Sequence, residues 1–358
     1  MHPDFLQLST TLRTEALLKT EALFSAHKHQ WTATFADHLH SICTKIVKQQ
    51  STSSLPPISR LEYTMLYNNF INRNYKAEIW IYGDKRYLDK NQHNLGEYDI
   101  SFLFPNFDDL WNNLLTARKR YVGKVTSREI TALMLQTLPN FYSYLTNLAR
   151  PAIKTLIEQS PFTDIAKTDT FKVNIGDYMA STEPIYTESK NKDAKKITKW
   201  FADRLDNEYT FEDFSHLDFS NQNFTFTEFR YSHFRHTNLS HTNLQGCALI
   251  GANFHHASLE HCTLDNCSIY EADFSHAKLK NATFISARGR AGLPNDKEWH
   301  YVGFLPVNFR YADLTNTDFS GAKLQGADFT GAILTGANFT GADLTGAIFD
   351  EDVGEIQT

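Results

Sequence analysis

From residue 211 onward a bulky apolar residue recurs at every fifth position. One run goes from Phe214 through Phe234, Leu249, Phe254 and Leu264 to Phe284. A second goes from Phe309 through Leu314, Phe319 and Phe329 to Phe349. Together they make 24 positions with no polar exception. A second register, two residues earlier, is small in most repeats: Thr237, Cys247, Ala252, Cys262, Cys267, Ala312 and Ala327. Neither the 3.6-residue period of a helix nor the 2.0-residue period of a strand yields this pattern. One large and one small inward residue every five positions predicts a square coil, with five residues per side and twenty per turn. Six such coils, stacked at about 4.8 Å, make a rod roughly 29 Å long. Cys247 and Cys267, twenty residues apart, fall on one face, where a disulfide is possible but not needed.

The N-terminal part follows other periods. Trp31, Phe35, Leu39, Ile42 and Ile46 recur at spacings of three and four, which predicts a helix within residues 1–50. Residues 51–57 read as a loop and 58–72 as another helix. Residues 77–82 and 98–104 alternate as strands do. Thr126-Ser127-Arg128-Glu129 is a capping box before an apolar helix. A further helix spans 141–157, bent or restarted at Pro151, and a last one spans 191–205, with Asn191 as its N-cap.

Ala312-Asp313-Leu314, Ala327-Asp328-Phe329, Ala337-Asn338-Phe339 and Ala342-Asp343-Leu344 resemble the motif of the pentapeptide-repeat family, Ala-(Asp/Asn)-(Leu/Phe)-X-X. The resemblance covers about residues 211–350 and implies a right-handed quadrilateral β-helix. It also implies one possible partner. Some members, the Qnr-type quinolone-resistance proteins, resemble a DNA duplex in shape and charge and bind DNA gyrase. Residues 211–358 hold 18 Asp plus Glu against 9 Lys plus Arg, a balance of −9, which suits such mimicry and equally suits simple solubility.

The repeat breaks once. Phe284 to Phe309 spans 25 residues, read as one step plus a twenty-residue insertion, with a protruding loop at about 286–303. Arg288, Arg290, Lys297, Trp299 and Tyr301 lie there, and several are of the types that carry binding hot spots. Similar loops help Qnr-type proteins contact their enzyme. His216, His236, His256 and His276 are spaced by twenty, and His241 and His261 repeat this on the next face. The first four are the candidate metal ligands. An anion site, a pH-sensitive surface and a plain exposed ladder are the other readings.

The fold class expected is therefore α+β. A helix-rich mixed domain (1–190) and a capping helix (191–210) precede the β-helix (211–358). No catalytic residue and no cofactor motif emerge: Walker A, Gly-x-Gly-x-x-Gly, His-Glu-x-x-His, Cys-x-x-Cys and Gly-x-Ser-x-Gly are all missing. Cys43 beside His38 and His40 reads as structural, and His27-Lys28-His29 as a solvated helix face. Four cysteines in 358 residues suit a reducing compartment. There is no membrane-length apolar run, a secretory leader is not expected, and a cytoplasmic bacterial protein is, with translocation to a host left open. The expected role is a non-catalytic scaffold that binds another protein, rather than nucleic acid directly. The alternatives are a gyrase-directed DNA mimic, and an enzyme or translocated effector acting through its N-terminal domain.

Overall fold

A computed structural model describes residues 2–52, 55–83, 92–178, 182–193, 196–197, 199–200 and 209–351. The chain divides into two units. Met1–Glu188 with Leu293–Val302 make the first, and Ser189–Gly292 with Gly303–Thr358 make the second.

In the first unit α1 (Pro3–Ser51) opens with proline, whose missing N–H is no loss in a first helical turn. It buries Phe24, Phe35, Leu39, Cys43 and Ile46. Its aromatic face meets the sheet, with Phe35 5.2 Å from Tyr63 and 5.3 Å from Tyr98 between ring centroids. The strands are β1 (Ile58–Met65), β2 (Lys76–Tyr82), β3 (His93–Asp99), β4 (Lys167–Asp177) and β5 (Thr182–Ser189). Their order is β3-β2-β1-β4-β5, with β1 antiparallel to β2 and parallel to β4. Helices α2 (Tyr67–Ile71), α3 (Pro105–Arg118) and α4 (Ser127–Lys154) complete the unit.

The sequence expectation for 58–72 is corrected here. Residues 58–65 form the central strand, and only 67–71 are helical. Leu61, Tyr63 and Met65 alternate toward one face, but Glu62 and Thr64 on the other are equally buried, which hides the period of two. Residues 98–104 are corrected as well. The strand ends at Asp99, whose Oδ1 accepts the Ser101 N–H, and a short 3₁₀ turn at Ser101–Leu103 leads into α3. The capping box stands. Thr126 Oγ1 accepts the Glu129 N–H and Glu129 Oε2 accepts the Thr126 N–H. Helix α4 runs unbroken through Pro139 and Pro151. The 191–205 helix lies largely outside the described residues, and of those described, 196–197 and 199–200 are helical.

In the second unit, residues twenty apart pair in parallel, as in Asp218↔Asn238↔Ser258↔Lys278. Each position of the five-residue motif has a physical task. The central residue is buried, and its N–H donates to the carbonyl nineteen residues on, as from Phe254 to Asp273 at 2.7 Å. The Asp or Asn before it accepts the N–H two residues ahead, as Asp313 does from Thr315. A Ser or Thr there adds a hydroxyl bond to the same oxygen, at 2.6 Å for Thr315. The central carbonyl accepts the N–H three residues on, as Phe254 does from Ala257, with His256 between at φ +55°. A positive φ at that place marks a type II turn. The small register touches the preceding coil. Thr237 Oγ1 donates to the Phe214 carbonyl and Cys262 Sγ to that of Leu239. All four cysteines are buried free thiols, so Cys247 and Cys267 are not joined.

At the break, Asp273 pairs with Asn308, a step of 35 residues instead of 20, so the insertion is 15 residues rather than the expected twenty. Gly289 accounts for the difference, because it fills an inward place of its own. A Cβ there would lie 2.5 Å from Val307 Cγ2 and 2.8 Å from Ile269 Cγ1. Val307 is fully buried where most repeats carry alanine. A large residue has thus moved from one register to the other at one level of the interior. Gly289→Leu should overpack the site and destabilise by about 1–3 kcal/mol. Val307→Ala should lose about 1–2 kcal/mol to a cavity. The double variant should lose clearly less than their sum. Additive losses in denaturant melts would show that the two positions do not share volume.

Candidate functional site

Except at Ala291, where the insertion begins, the corner residue of the regular five-residue sides has a positive φ. Among the described residues it is Asn, His or Gly at most corners, with Phe211, Phe226, Tyr231, Glu271, Ser286 and Tyr311 as other occupants. Asn and His tolerate this region better than most side chains, and Gly adopts it freely. That is why histidines occur in this register. Because corners stack, so do their rings. His216–His236, His236–His256 and His256–His276 centroids are 4.9, 5.2 and 4.9 Å apart, and Tyr311 continues the row 5.0 Å beyond His276. His241 and His261 stack at 4.7 Å on the neighbouring corner. His255 packs against His256 at 4.2 Å, and its Nδ1 lies 2.8 Å from Ser275 Oγ.

This geometry bears on the metal reading of His216, His236, His256 and His276. An imidazole lone pair lies in the ring plane, so the near-parallel rings of His216, His236 and His256 send theirs side by side rather than onto one point, while His276 is tilted by 34°. Among the described residues, no group of three or more His, Cys, Asp or Glu is placed to hold a metal ion. What the row offers is a line of ring edges. Burial, and then the neighbouring His236, holds His216 below its usual pKa.

The five residues named in the insertion do not share one setting. Arg288 is exposed on the ladder Ser268–Arg288–Lys323, with Nη2 3.2 Å from Ser268 Oγ. Arg290 is half-buried, and its Nη2 is buried without a hydrogen-bond partner among the described residues. Lys297, Trp299 and Tyr301 belong to the first unit. Lys297 and Tyr301 are exposed there, while Trp299 packs on that unit's core. Trp299 Nε1 donates to Tyr144 Oη at 2.8 Å, and Tyr144 donates to the buried carboxylate of Glu21 at 2.8 Å. Burial, then Glu21, pushes the Tyr144 hydroxyl well above its usual pKa, so it remains a donor. Sequence reasoning missed Glu21 and Tyr144, whose partners lie 123 and 155 residues away. The segment leaves and re-enters the repeats through the antiparallel pair Gly292↔Phe304, a narrow neck.

Elsewhere in the first unit, burial pushes the Cys43 thiol up to about 12, which leaves it protonated and unreactive at neutral pH. His38, 4.4 Å from the Tyr98 ring, is lowered to about 4 by burial. His27 stacks on Trp31. No helix among the described residues is long and apolar enough to cross a membrane.

The pentapeptide-repeat family model matches residues 213–250, 247–284 and 308–350 in 8 copies, so this region of the chain is a pentapeptide-repeat region. Similar solved structures include QnrB1, described as a plasmid-mediated fluoroquinolone resistance protein. It is 17% identical over 40% of this chain and 94% of that one, with a TM-score of 0.21. HetL, a pentapeptide repeat protein involved in heterocyst differentiation regulation from the cyanobacterium Nostoc, is 17% identical. That match covers 46% of this chain and 100% of that one, with a TM-score of 0.17. A pentapeptide repeat protein from the Arabidopsis thaliana thylakoid lumen is 27% identical over 33% of this chain and 66% of that one, at a TM-score of 0.15. No curated protein matches the chain.

Two outcomes follow from this geometry. Trp299→Ala should lower the stability of the first unit by about 2–3 kcal/mol, through lost packing and the lost Tyr144 bond. Trp299→Phe, which keeps a ring, should lose about 1 kcal/mol. An alanine variant that melts like the parent would show that the tryptophan is not anchored. The second concerns acid. The folded pKa of His216 is depressed, so its contribution is present above the unfolded value of about 6.5 and is lost as pH falls through the folded value. The melting temperature of the repeats should fall slightly below about pH 6.5, and less so in His216→Asn. Asp218 is held below the usual carboxylate range by the Ser220 N–H, so its loss comes at lower pH, below about 3.9. Identical acid profiles for parent and variant would remove His216 from the account.

Proposed function

We propose that residues 211–358 form a right-handed quadrilateral β-helix that works as a rigid, non-catalytic module for binding another protein, with the start of the insertion as its contact point. The domain of residues 1–190 and the capping segment 191–210 precede it. The observation that carries this reading is the division of the repeats. The large inward residues from Phe229 to Leu324 are apolar and closed to water, while side chains with ionic chemistry stand in fixed rows outside. A surface with its rows already in place loses little conformational entropy on binding. Arg288 and Arg290 suit the contact best. One is exposed, and the other holds a guanidinium nitrogen that is already desolvated and lacks an acceptor among the described residues. Lys297 and Tyr301 are secondary candidates, while Trp299 is engaged within the chain.

Affinity capture with the full chain tests the reading. The parent should retain a protein in stoichiometric amount, and Arg288→Ala with Arg290→Ala should weaken that complex at least about tenfold, as hot-spot truncation does. Melting behaviour should stay unchanged. Equal retention by parent and variant would place the contact elsewhere, and no stoichiometric partner would end the proposal.

A further inference from the structure

We propose that the face of the repeats bordered by the two histidine rows docks on an anionic lipid surface in mild acid. This goes beyond the protein-binding role and uses a different ladder from Arg288. The ladder Asp218–Asn238–Ser258–Lys278–Asp313–Ile333 runs along the middle of the face. On one side stands the corner with His216, His236, His256 and His276, and on the other the corner with His241 and His261.

The fixed charges facing the histidines nearly cancel. Arg235, Lys278 and Lys280 stand against Asp218, Glu260, Asp313 and Asp273, whose carboxylate holds the Ser275 hydroxyl beside His255. Lys192 is paired with Asp213 at 2.7 Å, and Arg310 with Asp328 at 3.0 Å. His255 adds one more imidazole beside His256. With the histidines neutral the face therefore has almost no net charge, and each protonation makes it cationic. The rings of a row stand about 5 Å apart, so positive charge carried on them is concentrated along one line and favours an anionic partner. A negative surface supplies the missing counter-charge, so binding and protonation favour each other.

Two further residues favour lipid over other polyanions. Tyr311 ends the histidine row and is 52% exposed, and Ile333 ends the central ladder and is 54% exposed. An aromatic ring beside an exposed aliphatic side chain suits the boundary between headgroups and acyl chains.

The test is co-sedimentation of the full chain with vesicles. Phosphatidylcholine vesicles holding about 30% phosphatidylserine should bind at least about tenfold more tightly at about pH 5.5 than at about pH 7.5. Pure phosphatidylcholine should bind weakly at both. His236→Asn with His256→Asn should lose most of the pH response. Asparagine already occupies this corner conformation at Asn221, Asn266, Asn281 and Asn316, so the fold should hold, and a melt checks it. Should that pair misfold, His241→Asn with His261→Asn serves on the other row. Tyr311→Asn with Ile333→Thr should weaken binding without changing its pH response. Equal binding at both pH values, equal binding to pure phosphatidylcholine, or folded histidine variants that bind like the parent would each overturn the proposal. So would a DNA duplex that binds more tightly than the vesicles with the same pH response. None of these outcomes bears on protein capture through Arg288 and Arg290.

Discussion

The repeat region depends on a backbone constraint that returns every five residues. Each side must end in a left-handed corner, which side chains with a Cβ adopt with difficulty. His236 at φ +55°, Asn281 at +58° and Gly331 at +72° all meet that demand. The corner turns the chain through a type II turn, so the next side faces inward again and the central N–H reaches the coil above. The Asx bond before each corner, such as Asp328 Oδ1 accepting the Thr330 N–H, fixes the approach to it. The rows of stacked rings are a consequence of this constraint.

A second constraint is volume. The interior accepts one large and one small side chain per side, and close packing leaves little room for exceptions. Gly289 and Val307 show the rule by exchanging roles. A residue with no side chain stands in the large register and a branched one in the small register, within 2.5 Å of each other's space. The chain can therefore leave the repeats at Gly292 and return at Phe304 without opening the core. The excursion ends up serving another core, because Trp299 closes a hydrogen-bonded line to Tyr144 and Glu21.

Much of the repeat region was legible in the sequence because its contacts are local in period. Phe254 needs only the knowledge that residues twenty apart are neighbours. Gly289 escaped because a glycine in a large register looks like a loop residue until Val307 is seen beside it. The first unit was less legible, since its partners are far apart in the chain. The central strand Ile58–Met65 is buried on both faces, which erases the alternation that marks a strand. Strands β4 and β5 were not anticipated at all, although β4 pairs with β1 across more than a hundred residues. At the candidate site, the histidine positions were readable, but not the reason for them. Spacing alone cannot tell a converging metal set from a stack. The ring planes carry that information, and they follow from the corner geometry.

The same corner demand is met by different chemistry along the chain. From Gly321 to Gly346 every corner is glycine, which satisfies the backbone and presents nothing outward. Between Phe211 and Asn316 most corners carry His, Asn or an aromatic ring, although Gly246 and Gly251 show that glycine serves there too. Glycine is the conformationally easy choice, so folding alone does not require the imidazoles. Even the two early glycines are covered. A Cβ at Gly251 would lie 2.2 Å from the Tyr231 ring, and one at Gly246 would lie 2.6 Å from Phe226. These aromatic rings lie flat on the bare corner above them. The surface that carries recognisable chemistry is therefore the part of the repeats where the easy residue was not used, and the two histidine rows are its longest continuous stretch.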